Sequence, residues 1–485
     1  MKIISGDYSY ILLEDDTIEI ARCQNDCCAL TIPTQLDGKN VTQIGEYAFM
    51  NCNSLTSVTI PNGVVKIDKY AFLYCKNLTT VTIPNSVTCI GENPFSGCES
   101  LTCFHISPDH SVLSVIDGVL LSKPDQRIVC YPQGLSETSY AIPNGIKQIG
   151  GFAFSRCSSL TSVTIPESVT NISHGAFFAC SGLATATIPA NVTLIDDETF
   201  DGCYNLTSVI IPDNVTQIGA FAFSECSDLT SIKIPNSVKL ISEYAFESCI
   251  SLTSLTIPSS VRFLGNGFCS GCYGLTSVTL SEGLKQIGKD AFNGCEKLSS
   301  ITIPDSVTTI DSNPFRGCNS LTRFRVSPDH PALAVIDGVL FSKADKRMVC
   351  YPKSKTTVTY TIPHGIKCIG DFAFYSCDSL TSVAIPNSVM QIGDSAFGHC
   401  EGLTSITIPD CVTQIGDSAF GDCEGLTSVT IPDSVTQIGE HAFNGLFFNH
   451  DQLTLTVGRN SYAKEYCVAN GLNYTYPDAN DWLMD

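Results

Sequence analysis

The sequence predicts an α/β solenoid, in which short parallel strands, each followed by one helical or 3₁₀ turn, wind around an apolar interior. Two observations carry this expectation. The stretch LTSVTIPNSVMQIGDSAFGHCEG from Leu380 is followed by LTSITIPDCVTQIGDSAFGDCEG from Leu403 and LTSVTIPDSVTQIGEHAF from Leu426, a period of 23 residues. A fixed period of that length marks a repeat protein, whose units cannot bury their apolar sides alone and are stabilised by stacking on neighbours. The composition agrees, since 43% hydrophobic and only 15% charged residues describe a folded chain and not a disordered one.

Within one unit, LTSVTIP alternates Ser/Thr with β-branched residues and reads as a short strand with Leu380, Val383 and Ile385 facing inward. Pro386 ends it, because proline donates no ladder hydrogen bond and fixes its own φ. Asn387 suits a turn, and a second extended piece then points Val389 and Ile392 inward. The next residue is Gly in most copies, but Asp68, Ser173, Asp196, Ser242 or Asp311 in others, all residue types that cap helix N-termini. The segment xxAFxxC is therefore expected to form one helical or 3₁₀ turn with Phe397 and Cys400 on the inner side.

Along the chain, residues 1–54 are an irregular opening in which YSYILLEDDTIEIARC suggests a hairpin over the first open edge. Coils of 23 residues fill 55–445, interrupted by two long coils at about 107–142 and 327–362. These carry SVIDGVLLSKPDQRIVCYP and AVIDGVLFSKADKRMVCYP, each read as a β-hairpin inserted on the solenoid wall. They lie 220 residues apart, as eight ordinary coils and one of 36 residues would be, so a block of nine coils was duplicated as a unit. In NGFCSGC, Phe268 falls where Ala is usual and Cys269 where Phe is usual, and a local repacking is expected. Residues 446–485, after the break at GLFFNHDQ, read as a C-terminal cap with a strand, an amphipathic helix in SYAKEYCVANGLNY, and the single Trp482.

The net charge of −21 argues against nucleic acid and anionic membranes as partners. Fourteen of the 25 cysteines, among them Cys226, Cys249 and Cys400, hold one place in the repeat. Neighbours in that file have parallel side chains, so they read as buried thiols packing as small hydrophobes and not as disulfides. Cys269–Cys272 and the group Cys23, Cys27, Cys28 have metal-like spacing but no second ligand pair, so no metal or other cofactor is expected. No secretory signal is read at the N-terminus and no apolar run spans a membrane, so membrane insertion is not expected. A monomer is.

LTSVTIPxSVTxIGxxAFxxC resembles the BspA-like leucine-rich repeats, also called the Treponema type, and so do the IDGVLFSK coils, the opening DGKNVTQIGEYAF and the closing SYAKEYCVANGLNY. The resemblance implies a leucine-rich-repeat array serving as a non-catalytic surface or secreted adhesion-type module for protein or glycan partners. The alternative is an intracellular protein–protein interaction scaffold located in the cytoplasm.

No phosphate loop, HExxH, GxSxG or EF-hand sequence occurs, the eight His residues read as standing at unrelated repeat positions, and no enzyme is predicted. Candidate binding residues are those that depart from the repeat on its exposed faces. The strand positions between inward residues, such as Ser57, Thr59, Ser405 and Thr407, should line a concave surface of hydroxyls. Arg323 and Arg325 replace them on one strand, Lys233 on another, and Cys103 with His105 on the strand matching the two arginines in the earlier block. Paired guanidiniums suit carboxylate or sulfate recognition. Asp371, Asp394, Asp417 and Glu440 form an acidic file in four successive coils, where acids favour a helix N-terminus and a bound Ca²⁺ would relieve their repulsion.

Overall fold

Most coils contain a strand of three or four residues and one of two, as in Ser382–Ala384 and Gln391–Ile392. The computed structural model describes residues 2–24, 27–444 and 453–477. Two compact units are present, Met1–Leu252 and Thr253–Asp485.

The first unit opens with the antiparallel strands Lys2–Ser5, Tyr8–Leu12 and Ile18–Cys23. Ile18–Cys23 then pairs in parallel with Lys39–Ile44, which hands on to Lys66–Ile67 and Cys89–Ile90. A second sheet stacks Ala29–Thr31, Ser57–Thr59, Thr80–Thr82 and Cys103–His105, with equivalent residues opposite one another. It stops at the long coil and restarts as Ser139–Ala141, Ser162–Thr164, Thr185–Thr187 and Ser208–Ile210.

In the second unit Ser300–Thr302 pairs with Arg323–Arg325, and past the long coil Thr359–Thr361, Ser382–Ala384 and Ser405–Thr407 form a new sheet. The shorter strands, from Cys368–Ile369 to Gln437–Ile438, continue from Arg347–Cys350 of the long coil. The unit closes with Thr454–Val457 and the helix Tyr462–Asn470, capped by the Ser461 side chain and ended by left-handed Gly471. The break at 445–452 and Trp482 lie outside the described residues.

The interior is a set of identical side chains stacked coil on coil. Phe154, Phe177, Phe200, Phe223 and Phe246 are fully buried, with successive rings 5.1–5.4 Å apart and nearly parallel. Tyr131 and Tyr351 take that place in the long coils, 5.2 Å from Phe154 and Phe374. Phe268, displaced by one residue, meets Phe292 edge-on at 81° instead of stacking, which is the repacking expected there. Buried thiols form the neighbouring file, and they also bond: the Sγ of Cys180, Cys203, Cys226 and Cys400 each donates to the Phe carbonyl of the preceding coil at 2.8–3.2 Å. Threonine hydroxyls do the same outside, Thr161 to the Thr138 carbonyl and Thr404 to the Thr381 carbonyl. The repeat's Thr and Cys content thus carries hydrogen bonds between coils as well as packing.

The architecture corrects the α/β expectation. The xxAFxxC segments are turns, not helical or 3₁₀ turns, and Tyr462–Asn470 is the one α-helix among the described residues. At 45–52 the N–H groups of Ala48, Met50 and Cys52 donate to carbonyls three residues back, whereas those of Phe49 and Asn51 cross to Ala71 and Leu73 of the next coil. Tyr47 and Asn51 lie in the left-handed region, with φ of 58° and 62°, and so do Phe221 and Glu225 or Ser395 and His399. A helix would aim every N–H along its own axis. Left-handed residues turn alternate peptide planes toward the neighbouring coil, whose bonds offset the roughly 1–2 kcal/mol each such residue costs.

The residue before this turn is accordingly no helix N-cap. Gly393, Gly416 and Gly439 have ordinary φ, but a Cβ there would fall 2.2–2.4 Å from Oδ1 of Asp371, Asp394 and Asp417 in the preceding coil. Asp68 and Asp196 accept from the immediately following N–H, of Lys69 and Asp197, and not from the second or third as a cap does.

The long coils also differ from a hairpin lying on the wall. Leu113–Ile116, Val119–Ser122 and Arg127–Cys130 form three antiparallel strands, and the last two are buried along their whole length. Their continuous apolar runs, unlike alternating ones, bury both faces. His110 and His330 hold equivalent places in the duplicated block, not unrelated ones, and both are fully buried.

Candidate functional site

Arg323 and Arg325 project from a three-residue strand whose middle residue, Phe324, is buried against Phe315 at 5.1 Å. The side-chain period of two turns both guanidiniums out when the phenylalanine turns in. Both are exposed, and among the described residues neither has a hydrogen-bond or ion-pair partner. Their strand is the last of its sheet, paired only with Ser300–Thr302. Cys103–His105 repeats this arrangement: Phe104 packs on Phe95 at 5.3 Å, His105 is exposed, and its ring lies 3.8 Å from the Cys103 sulfur.

Lys233 is exposed but stands on no regular strand, contrary to its expected place. Five coils, about 24 Å at the usual strand spacing, separate it from His105, so the first unit does not bring these two together.

The acidic file is bonded from coil to coil. Asp371 Oδ1 accepts the Asp394 N–H at 3.0 Å, Asp394 Oδ1 the Asp417 N–H at 2.8 Å, and Asp417 Oδ1 the Glu440 N–H at 2.8 Å. Asp197 does the same for Ala220 in the first unit, at 2.7 Å. One oxygen of each aspartate thus satisfies a backbone donor. Among the described residues, no group of three or more His, Cys, Asp or Glu side chains is placed to hold a metal.

Sequence reasoning missed a polar and aromatic cluster on the turn side of the second unit. Arg316 pairs with Asp290 at 3.2 Å and lies over the rings of Phe372 and Tyr375, at 4.7 and 5.6 Å. Tyr375 meets the ring of His399 at 5.2 Å, and His399 Nε2 is 3.6 Å from Asp422 Oδ2. Burial pushes the Tyr375 phenol above its usual range, with Arg316 opposing and Asp422 adding. The residues sit in five different coils, and only the stacking of those coils, across the long one between Arg316 and Tyr375, places them side by side.

The model of the BspA type leucine rich repeat region matches residues 23–117, 130–252, 194–322, 239–360 and 347–470. The chain belongs to this family. Among solved structures, this BspA-type chain is similar to a leucine-rich cell surface protein of Faecalibacterium prausnitzii, at 26% identity over 98% of this chain and 95% of that one, with a TM-score of 0.49. A leucine-rich repeat protein of Bacteroides ovatus matches at 24% identity over 98% and 99%, with a TM-score of 0.38. The pneumococcal vaccine antigen PcpA matches at 16% over 98% of both chains, with a TM-score of 0.40. No curated protein matches. No helix among the described residues of this BspA-type chain is long and apolar enough to cross a membrane.

Proposed function

We propose that the chain is a non-catalytic binding module, acting at the cell surface or after secretion, which holds acidic groups of a protein or glycan partner. The exposed pair Arg323 and Arg325, standing on a terminal strand among hydroxyl-bearing neighbours, supports this reading. Guanidiniums with no competing carboxylate are open to bidentate capture of carboxylate or sulfate. Heparin and a polyglutamate peptide, immobilised in turn, test it: the variant with Arg323→Ser and Arg325→Ser should bind at least about tenfold more weakly than wild type. Equal binding by the two proteins would remove the arginines from the reading.

A second reading, an intracellular interaction scaffold, draws on the buried file in which Cys180, Cys203, Cys226 and Cys400 donate hydrogen bonds as thiols. Thiol-rich chains suit a reducing compartment. Protease treatment of intact source cells separates the two. Digestion of this chain supports surface display, and its protection in the soluble fraction supports the scaffold.

A further inference from the structure

The first residue after the ladder phenylalanine projects from the turn of each coil. Along the second unit it is Asn293, Arg316, Tyr375, Gly398, Gly421 and Asn444, so two adjacent coils carry no side chain there. Neither Gly398 nor Gly421 has a positive φ, so neither conformation demands glycine, and a Cβ would meet Tyr375 Cδ2 at 3.2 Å from Gly398 and the Asn444 and Ser418 carbonyl oxygens at 3.2 Å from Gly421. The effect of the two glycines is to open a slot of about 220 Å³ between Tyr375 and Asn444, lined also by Ser395, Ser418, His399 and Asp422.

Two features of this slot point to a ligand. The Asp422 side chain is only 7% exposed, and its Oδ1 has no hydrogen-bond partner among the described residues; Asn444 Oδ1 is likewise buried without a donor. Buried acceptors left unmatched are costly and rare in native proteins. Arg316 is already engaged by Asp290 at 3.2 Å, and Asp422 Oδ2 stands 3.6 Å from His399 Nε2. An anionic ligand would meet the Asp422 carboxylate and an arginine already paired, whereas a neutral molecule rich in hydroxyl groups supplies the missing donors.

We propose that the slot binds a single neutral sugar ring. Hydroxyls donate to Asp422 and Asn444 and accept from His399 and the two serines, and an apolar ring face rests near Tyr375. The volume is below the roughly 300–1,000 Å³ of a pocket for a drug-sized ligand, which fits one ring and not an oligosaccharide. This inference rests on the reading of the chain as a binding module, and it adds a site apart from the arginine pair.

The test is saturation-transfer NMR on the full chain with glucose, galactose, mannose, fucose, N-acetylglucosamine and N-acetylgalactosamine, followed by titration of any sugar that responds. At least one should receive saturation, and both Gly398→Leu and Gly421→Leu should weaken it by about tenfold or more. Leucine stands at the equivalent position 73, so each variant fills the slot with a residue the fold already accepts; circular dichroism checks folding, and either folded variant suffices. No transfer to any of the six sugars, or undiminished binding by a folded variant, overturns the proposal. A chain that ignores every sugar yet loses heparin or polyglutamate binding on replacement of Arg323 and Arg325 keeps the general reading and loses only the slot.

Discussion

The Sγ of Cys226 donates to the carbonyl oxygen of Phe200 in the preceding coil at 3.2 Å. Burial pushes this thiol far above its usual pKa, so it stays protonated and able to donate at neutral pH. Cys226→Ala removes the donor and opens a small void, and the expected loss is about 1–3 kcal/mol in urea unfolding. Cys226→Ser keeps a donor and should lose less. The reverse order would show that the thiol acts only by filling space.

Exposure sets the reactivity of the remaining cysteines in the same way. Iodoacetamide should label the exposed Cys28, Cys89 and Cys411 in the native protein, while Cys203, Cys226 and Cys318 stay unmodified until the chain unfolds. Peptide mass mapping before and after denaturation reads this out. Labelling of Cys226 in native buffer would place it outside the core.

Phe223 stacks 5.4 Å from both Phe200 and Phe246 and is fully buried. Phe223→Ala should cost about 3–5 kcal/mol, and a loss below about 1 kcal/mol would contradict its place in the ladder.

This ladder shows what the sequence made legible. The period of 23, the inward Leu, Val, Ile, Phe and Cys, the parallel strands and the long-coil exception all follow from residue type at a fixed spacing. The turn conformation did not, because AFxxC satisfies a helical pattern as readily as the observed one. Only the need to pair Phe49 and Asn51 with the next coil, a non-local demand, selects left-handed Tyr47 and Asn51. The slot was hidden for a related reason. Its sequence signal, glycine after the ladder Phe in two successive copies, means nothing until the coils are stacked. Arg323 and Arg325 needed less, since a period of two around Phe324 is enough to turn both outward.

His110 gives the fold a dependence on pH. Its Nδ1 accepts the N–H groups of Val112 and Leu113 at 3.3 and 3.1 Å, so the ring hydrogen is assigned to Nε2, 3.1 Å from the Pro84 carbonyl oxygen. Burial lowers its pKa, the Pro84 carbonyl opposes the shift, and Lys123 adds to it. Below the unfolded value of about 6.5 the unfolded chain takes up the proton first, so the stability held above that pH is lost as pH falls toward the folded pKa. Urea midpoints of the wild type minus those of His110→Asn should therefore shrink between about pH 7 and pH 5. A difference constant over that range would mean that this ring does not titrate on unfolding.

Asp201 acts with the opposite sign. Burial raises its pKa to about 6, Ser224 opposes the shift, and the carboxylates of Glu225, Glu198 and Glu247 add to it. Between the usual carboxylate value near 4 and about 6 the folded chain binds the proton more tightly, so stability falls as pH rises through that window. Asp201→Asn removes the charge and should stabilise the protein at pH 8, on the order of 1 kcal/mol once partial exposure is discounted. The gain should vanish near pH 4, and thermal melts at the two pH values measure it. Equal gains at both would assign the effect to packing.

The acidic file separates a backbone role from a cation-binding one. Asp394 Oδ1 accepts the Asp417 N–H at 2.8 Å, and Asp394 itself donates its N–H to Asp371 Oδ1 at 3.0 Å. Asparagine keeps the acceptor and removes one charge from a file of four, so Asp394→Asn should leave stability within about 0.5 kcal/mol of wild type or raise it slightly. Alanine leaves the Asp417 N–H without that partner and should cost about 0.5–1.5 kcal/mol. Millimolar Ca²⁺ should not move the wild-type melting temperature if bonding to the backbone is the whole role of the file. A rise with Ca²⁺ that is lost in Asp394→Asn would instead show that the second carboxylate oxygens gather a cation, and the ladder would then hold a binding site along its length.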